Sequence, residues 1–218
     1  MIVSILSLKG GVGKSTIAQN IAVTFAHKGY SVCIADVDTN QSCLRWSEYR
    51  NEDLPTVQVF GFPNGQGLTK NVKKLNQQFD FVIIDGTPSL SNTASKIIML
   101  ADMLIIPMLC GVMDIWATEK FLERYEEAKE QKEENIPAYF LLNQFNSRLT
   151  ISKETKEILE NVEDVKTLTV TIGNRVAYKE ANIKGLGVYE LNEKKAKIEM
   201  IELSNEIENE IEILLKNK

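Results

Sequence analysis

The sequence lacks any long apolar run. No stretch of its 218 residues approaches the roughly 18 to 20 apolar residues that a membrane helix needs. The apolar residues 1–8 are too few for a signal peptide, and no basic segment precedes them and no small-residue cleavage site follows them. We therefore expect a cytoplasmic protein that does not associate with a membrane.

Cysteine is also scarce. The chain has three cysteines, Cys33, Cys43 and Cys110. Because the number is odd and no pair has the spacing of metal ligands, the sequence suggests neither a disulfide framework nor a zinc site. We interpret all three as reduced thiols of a cytoplasmic protein.

The chain has fewer basic than acidic residues. Lysine and arginine number 25 against 30 acidic residues, which gives a net charge of -5 and a pI of about 5.2. A protein that coats DNA through its overall charge is usually basic, so any contact with nucleic acid has to use a local patch. Hydrophobic residues make up 44%, as in a globular protein, and without repeats or linkers we expect one domain over residues 1–218.

Short apolar segments alternate with longer helical patterns. We predict strands at residues 2–7, 31–37, 57–60, 81–84, 103–107, 138–142 and 167–171. Helices are predicted at residues 15–28, 41–49, 68–77, 92–101, 114–132, 152–160, 174–181 and 193–215. This alternation predicts an α/β fold with a doubly wound, mostly parallel sheet and helices on both faces.

Residues 9–16 read Lys-Gly-Gly-Val-Gly-Lys-Ser-Thr and lie between a predicted strand and a predicted helix. In this position glycines allow a tight turn whose N–H groups face phosphate oxygens, and the helix N-terminus favours negative charge. Lys14 is predicted to reach the β- and γ-phosphates, and the Ser15 hydroxyl to ligate Mg²⁺. The residues predicted to hold ATP here are Gly10, Gly11, Val12, Gly13, Lys14, Ser15 and Thr16.

The segment departs from the general P-loop pattern, because Leu8 replaces its first glycine and Lys9 follows. In this it resembles the deviant Walker A motif of the ParA/MinD family of ATPases. The resemblance implies an ATP-dependent homodimer in which Lys9 contacts the partner's phosphates, as an arginine finger does. The alternative is that Lys9 is a solvated surface lysine.

Three carboxylates lie at or just after the ends of predicted strands. Asp36 and Asp38 match the two acids of the family's D-x-D-P-Q segment, although Thr39 and Asn40 replace its last two residues. The resemblance implies that Asp38 positions the attacking water and that Asp36 supports the Mg²⁺ shell. Asp85 matches the Walker B acid and is expected to hold a water on Mg²⁺. The alternative is that Asp36 and Asp38 only cap the next helix.

Two residues farther along the chain resemble the family's base-proximal positions. Asn143 follows a strand, and an amide there could both donate to and accept from an adenine edge; the alternative is an ordinary turn asparagine. Arg175 lies in a segment, residues 171–190, that resembles the family's C-terminal block near the nucleotide base.

The resemblance runs from residue 2 to about residue 190 and implies a short ParA-type partition ATPase without an N-terminal DNA-binding domain. Such proteins bind DNA without sequence preference when bound to ATP, which would place this one on the nucleoid, and a centromere-binding adaptor stimulates hydrolysis. Residues 175–197 carry a net charge of +3, either a DNA-contacting patch or an ordinary surface. The alternative function is a MinD-like ATPase that positions a membrane or protein cargo, although the C-terminal helix is acidic rather than basic.

Overall fold

Segments rich in isoleucine, valine and leucine form a central sheet, as seen in a computed structural model that describes residues 1–89, 92–132 and 135–216. The strands are β1 Ile2–Ile5, β2 Val32–Asp36, β3 Gln58–Gly61, β4 Phe81–Asp85, β5 Met103–Met108, β6 Ala138–Leu142 and β7 Val165–Thr167. Their order is β3-β2-β4-β1-β5-β6-β7, and all neighbouring pairs are parallel. Strands β1, β2, β4, β5 and β6 are buried along their whole length, because helices cover both faces.

The helices are α1 Lys14–His27, α2 Ser42–Ser47, α3 Leu68–Leu75, α4 Asn92–Leu100, α5 Val112–Lys132, α6 Thr150–Glu160, α7 Val176–Ile183 and α8 Lys194–Lys216. Single 3-10 turns occur at Pro63–Gly65 and Val188–Glu190. Every predicted helix is present, with ends shifted by at most two residues. Two separate apolar clusters, one on each face of the sheet, form the core. The predicted α/β, doubly wound fold is confirmed.

The last predicted strand was misplaced. Strand β7 ends at Thr167, whereas residues 167–171 were predicted to be extended. The reason is that Glu206 of α8 accepts hydrogen bonds from the backbone N–H groups of Thr169 and Val170, at 2.6 and 3.0 Å. A side chain from a distant helix thus takes the N–H of Val170, which a longer strand would have paired with β6.

Helix α8 packs on the domain through one face. Met200, Leu203, Ile207 and Ile211 are buried, at the spacing of three and four residues that places side chains on one side of a helix. The other face of α8, with its charged residues, is left at least partly to solvent. None of the helices in the described part of the chain combines the length and apolar character that crossing a bilayer requires.

Parallel strands bring their carboxyl ends to one edge of the sheet, where ligands of open α/β folds bind. At this edge Asp36 of β2 pairs in register with Asp85 of β4, and Asp85 pairs with Ile5 of β1. The loop from β1 to α1 begins at the same edge. The fold thus assembles the glycine-rich segment and two of the predicted carboxylates side by side.

Candidate active site

The glycine-rich loop makes a tight turn from β1 into α1. Gly11 and Gly13 have φ of 76° and 93°, a left-handed region that favours glycine. A Cβ on Gly13 would also collide with the side-chain amide of Asn143, which would have to move. Helix α1 begins with no side-chain cap, which leaves its first N–H groups available to an anion.

A cavity of about 570 Å³ opens above this loop, a volume within the range of small-molecule sites. Its floor is the loop and its walls come from the segment after β2, from the end of β6 and from α7. The lining residues of the predicted site are Gly10, Gly11, Gly13, Lys14, Ser15, Thr16, Asp38, Asn143 and Arg175. Val12 is buried beneath the loop. The structure therefore brings together most of the residues predicted to hold ATP.

Lys14 is buried at the base of the cavity, and its Nζ donates to the carbonyl oxygen of Lys9 at 3.0 Å. Burial lowers the pKa of Lys14, while the carboxylates of Asp85 and Asp38 oppose that shift. A cation held in a partly desolvated position interacts strongly with an incoming phosphate. The position suits the role predicted for Lys14.

Lys9 is placed differently from the other loop residues. Its Nζ forms an ion pair with Oδ1 of Asp114, in the first turn of α5, at 2.7 Å. The side chain does not line the cavity. In the single chain Lys9 is therefore ion-paired rather than simply solvated. Its contact with a partner's phosphates stays a prediction.

Asp36 organises the segment that follows β2. Its carboxylate accepts hydrogen bonds from the backbone N–H groups of Asp38, Cys43 and Leu44, at 3.2, 2.8 and 3.1 Å. The last two lie in the first turn of α2, so Asp36 caps that helix, and its support of the Mg²⁺ shell stays a prediction. Burial raises the pKa of Asp36, although these hydrogen bonds oppose the shift.

Asp85 is fully buried beside Asp36. Its Oδ2 accepts a hydrogen bond from the Cys43 thiol at 3.2 Å, and its Oδ1 has no hydrogen-bond partner within the described residues. Burial, together with the neighbouring Asp36 carboxylate, raises the pKa of Asp85 to about 7. A buried oxygen without a donor, close to a second carboxylate and the P-loop serine, fits a hard divalent cation. The donor set at Ser15, Asp36 and Asp85 is thus compatible with Mg²⁺.

Asp38 lies on the cavity wall and is nearly buried. Its Oδ1 accepts the backbone N–H of Asn40 at 2.8 Å, which fixes the turn that replaces the family's Pro-Gln. Gln41 completes this turn with a φ of 52° and directs its side-chain amide toward the carbonyl oxygens of Asp36 and Asp38. Asp38 is thus fixed on the wall of the cavity, and its action on the attacking water stays a prediction.

The amide of Asn143 is used within the chain. Its Nδ2 donates to the carbonyl oxygen of Val12 at 2.7 Å and its Oδ1 accepts from the N–H of Gln144. Asn143 thus supports the P-loop, and contact with a base stays a prediction. Arg175 lines the cavity while its Nε donates to Oε1 of Glu199 at 2.9 Å, and its role toward the base likewise stays a prediction.

Sequence reasoning missed two participants in this site. Cys43 lies within 4.8 Å of the carboxylate oxygens of Asp36 and Asp85, and Asp114 holds Lys9 from 105 residues away. The position of Cys43 in the turn after Asp38 could have indicated the first. No local pattern indicates the second, because the contact depends on how α5 packs beside the loop.

The chain was compared with known proteins. The model of the CobQ/CobB/MinD/ParA nucleotide binding domain family matches residues 3–188. Maintenance of carboxysome distribution protein A from Halothiobacillus neapolitanus is 26% identical over 207 residues, which is 94% of each chain. A putative plasmid partition protein from Borrelia burgdorferi bound to AMPPNP superposes with a TM-score of 0.74 at 19% identity, covering 95% of this chain and 98% of that one.

The septum site-determining protein MinD from Pyrococcus horikoshii, complexed with Mg-ADP, superposes with a TM-score of 0.73 at 19% identity and covers 98% of both chains. At 19% identity, these two structural similarities show the fold alone. The family match extends over most of the chain and includes the glycine-rich loop and the carboxylates at the ends of β2 and β4. The chain therefore belongs to the CobQ/CobB/MinD/ParA nucleotide binding domain family, and the resemblance deduced from its P-loop is confirmed.

Proposed function

We propose that residues 1–218 form a single ATPase domain that hydrolyses ATP with Mg²⁺ and serves in DNA partition. One observation carries this proposal. A single cavity is lined by the glycine-rich turn, the buried cation of Lys14, the Ser15 hydroxyl and the carboxylate of Asp38. These are the groups that phosphoryl transfer to water requires, and two of the similar structures are complexes with AMPPNP and with Mg-ADP.

Each residue then has a chemical task. The loop N–H groups and Lys14 bind the phosphates, and Asp38 orients a water molecule in line with the terminal phosphorus. Mg²⁺, held by Ser15 and by waters on Asp36 and Asp85, would supply charge neutralisation on the phosphate oxygens. Asp36 also fixes the start of α2, so the position of this segment depends on the same carboxylate.

ATP is proposed to join two copies of the chain. In the single chain Lys9 is held by Asp114, away from its own cavity, and remains partly exposed. In the dimer it would leave Asp114 and contact the partner's phosphates, adding positive charge to the transition state. The homodimer would therefore form only with ATP bound.

The proposed DNA surface starts at the cavity. Lys179 of α7 lines the cavity and is exposed, and Lys184, Lys194 and Lys195 are exposed farther along the same segment. Arg175 is engaged by Glu199, and Lys197 lies 3.9 Å from the ring centroid of Tyr189. A group of exposed lysines next to the nucleotide site is suited to contact the phosphates of DNA in only one nucleotide state of the protein. A centromere-binding adaptor would stimulate hydrolysis and release the protein from the nucleoid.

A second function is favoured by one comparison. The relative from Halothiobacillus neapolitanus is named for carboxysome distribution and matches along 94% of the chain. A positioning ATPase of this kind moves a protein body rather than a replicon. This cargo, like the membrane cargo of a MinD-like protein, would use the same ATP cycle.

The test is binding of the purified protein to duplex DNA of arbitrary sequence at low salt, with ATP–Mg²⁺ and with ADP–Mg²⁺. We expect binding only with ATP and a steep loss of affinity as salt rises. The control is a variant with Lys184, Lys194 and Lys195 changed to glutamine, which should still bind ATP but lose DNA. Failure to bind DNA in both nucleotide states would refute partition on DNA and leave the ATPase assignment standing.

A further inference from the structure

The thiol of Cys43 lies beside the two buried carboxylates of this site, those of Asp36 and Asp85. Sγ of Cys43 is 3.2 Å from Oδ2 of Asp85, and one oxygen of Asp36 completes a group whose members all lie within 4.8 Å of one another. All three side chains are buried. A thiol contributes nothing to a magnesium shell, because Mg²⁺ takes oxygen ligands.

The geometry of this group is close to that of a tetrahedral metal site. Ligands at the Zn–S distance of about 2.3 Å and the Zn–O distance of about 2.0 to 2.2 Å stand about 3.3 to 3.8 Å apart at tetrahedral angles. Sγ of Cys43 and Oδ2 of Asp85 are 3.2 Å apart and would separate by about 0.4 Å, while the other ligand pairs, within 4.8 Å, need to close by no more than about 1.5 Å.

Both carboxylates retain the capacity to bind a cation. Asp85 is completely buried, and its Oδ1 lacks a partner within the described residues. Asp36 accepts three backbone hydrogen bonds, which leaves one of the about four lone-pair positions of a carboxylate. Two buried carboxylates beside a thiol supply the oxygen and sulfur ligands that a thiophilic divalent cation takes.

We propose that Asp36, Cys43 and Asp85 form a binding site for a thiophilic divalent cation such as Zn²⁺. The three side chains supply one sulfur and two oxygen ligands, and a water or a phosphate oxygen takes the fourth position. Because the cation uses the carboxylates assigned to the magnesium shell, it excludes Mg²⁺ and holds the start of α2 against β4. No sequence pattern indicates this site, because Cys43 lies seven residues from Asp36 and 42 from Asp85.

The site rests on the three side chains and not on ATP hydrolysis, so it can be tested on the nucleotide-free protein. The probe is Co²⁺ alone, followed by the charge-transfer absorption that appears when a thiolate binds this ion. We expect saturation at one equivalent, displacement by Zn²⁺ and no displacement by a large excess of Mg²⁺. If no thiolate absorption appears in the wild-type protein, the proposal is wrong even if the protein hydrolyses ATP.

Variants identify the ligands. Cys43→Ser should lose the thiolate absorption and weaken Co²⁺ binding at least about tenfold, whereas Cys33→Ser and Cys110→Ser should behave like the wild type. Absorption that persists in Cys43→Ser would assign the ion to another thiol and overturn the proposal. Should Cys43→Ser not fold, Asp85→Asn is the second test. It should keep the absorption with affinity reduced at least about tenfold, and an unchanged affinity there would also overturn the site.

Discussion

Replacement of Arg50 by methionine leaves a buried carboxylate without its cation. Arg50 follows α2, and its two terminal nitrogens donate to the carboxylate of Glu190 at 3.0 and 2.6 Å. The side chains are only 7% and 3% exposed, so solvent does not screen the pair. Arg50 also donates to the carbonyl oxygens of Pro55 and Gly185.

The expected cost follows from this burial. Removing one partner of a buried ion pair typically destabilises a protein by about 3 to 5 kcal/mol, because the remaining charge stays buried. We therefore expect Arg50→Met to lower the free energy of unfolding by about 3 kcal/mol or more near neutral pH. The double variant Arg50→Met/Glu190→Gln should recover part of the loss, so that the two single effects are not additive.

The pH dependence gives a second readout. Burial alone would raise the pKa of Glu190, but hydrogen bonds from Arg50, the Gly187 N–H and His27 together hold this pKa below its usual value. In the wild type the resulting stability is present above the unfolded pKa and is lost as pH falls through the lower folded pKa. In Arg50→Met burial dominates and the pKa of Glu190 rises, so the deficit should grow as pH increases from about 4 to about 6.

Urea unfolding followed by circular dichroism measures both effects. The matched control is Arg45→Met, which removes an arginine from α2 that has no ion pair within the described residues. A loss below about 1 kcal/mol for Arg50→Met, or strict additivity in the double variant, would contradict the assignment of a buried, coupled pair.

Three further predictions concern the site. Lys14→Ala should abolish ATP binding measured by calorimetry, and retained tight binding would refute the P-loop assignment; Lys28→Ala, at the far end of α1, is the control. Asp38→Ala should keep ATP binding and dimerisation but lose phosphate release, and normal turnover would show that another group positions the water. In metal-free protein, protonated Asp85 contributes stability that is present below its unfolded pKa of about 4 and lost as pH rises through about 7. In the wild type, the unfolding free energy should therefore decline by about 3 kcal/mol between about pH 5 and about pH 8, and Asp85→Asn should remove this decline. The control is Asp80→Asn, which replaces a carboxyl with a lowered pKa and should keep the decline. A decline that persists in Asp85→Asn would contradict the reasoning.

Features that depend on neighbouring residues could be predicted from the sequence. The strands are short apolar runs bounded by polar residues, and the P-loop combines three glycines with a following helix, so each carries its own signal. The carboxylates Asp36 and Asp85 could be placed together because parallel strands end at one edge of the sheet. Their register pairing confirms that reasoning.

Features that depend on packing between distant segments could not be predicted. Asp114 meets Lys9 only because α5 begins beside the loop, and Glu206 shortens β7 from within α8. The use of Asn143 to hold Val12 is likewise a consequence of two loops meeting. In each case a side chain bonds to a residue far away along the chain. Local sequence patterns do not identify that partner, which is known only from the tertiary structure.

Helix α2 is about 9 Å long, and hydrogen bonds to other segments hold it at both ends. Asp36 holds its first turn, while Trp46 donates to the carbonyl oxygen of Leu186 and Arg50 binds Gly185 and Glu190. Gly185 lies so close to Tyr49 that a Cβ would stand 2.4 Å from its backbone. Helix α2 therefore connects the carboxylate of Asp36, through direct contacts, to the segment that joins α7 to the lysines of α8.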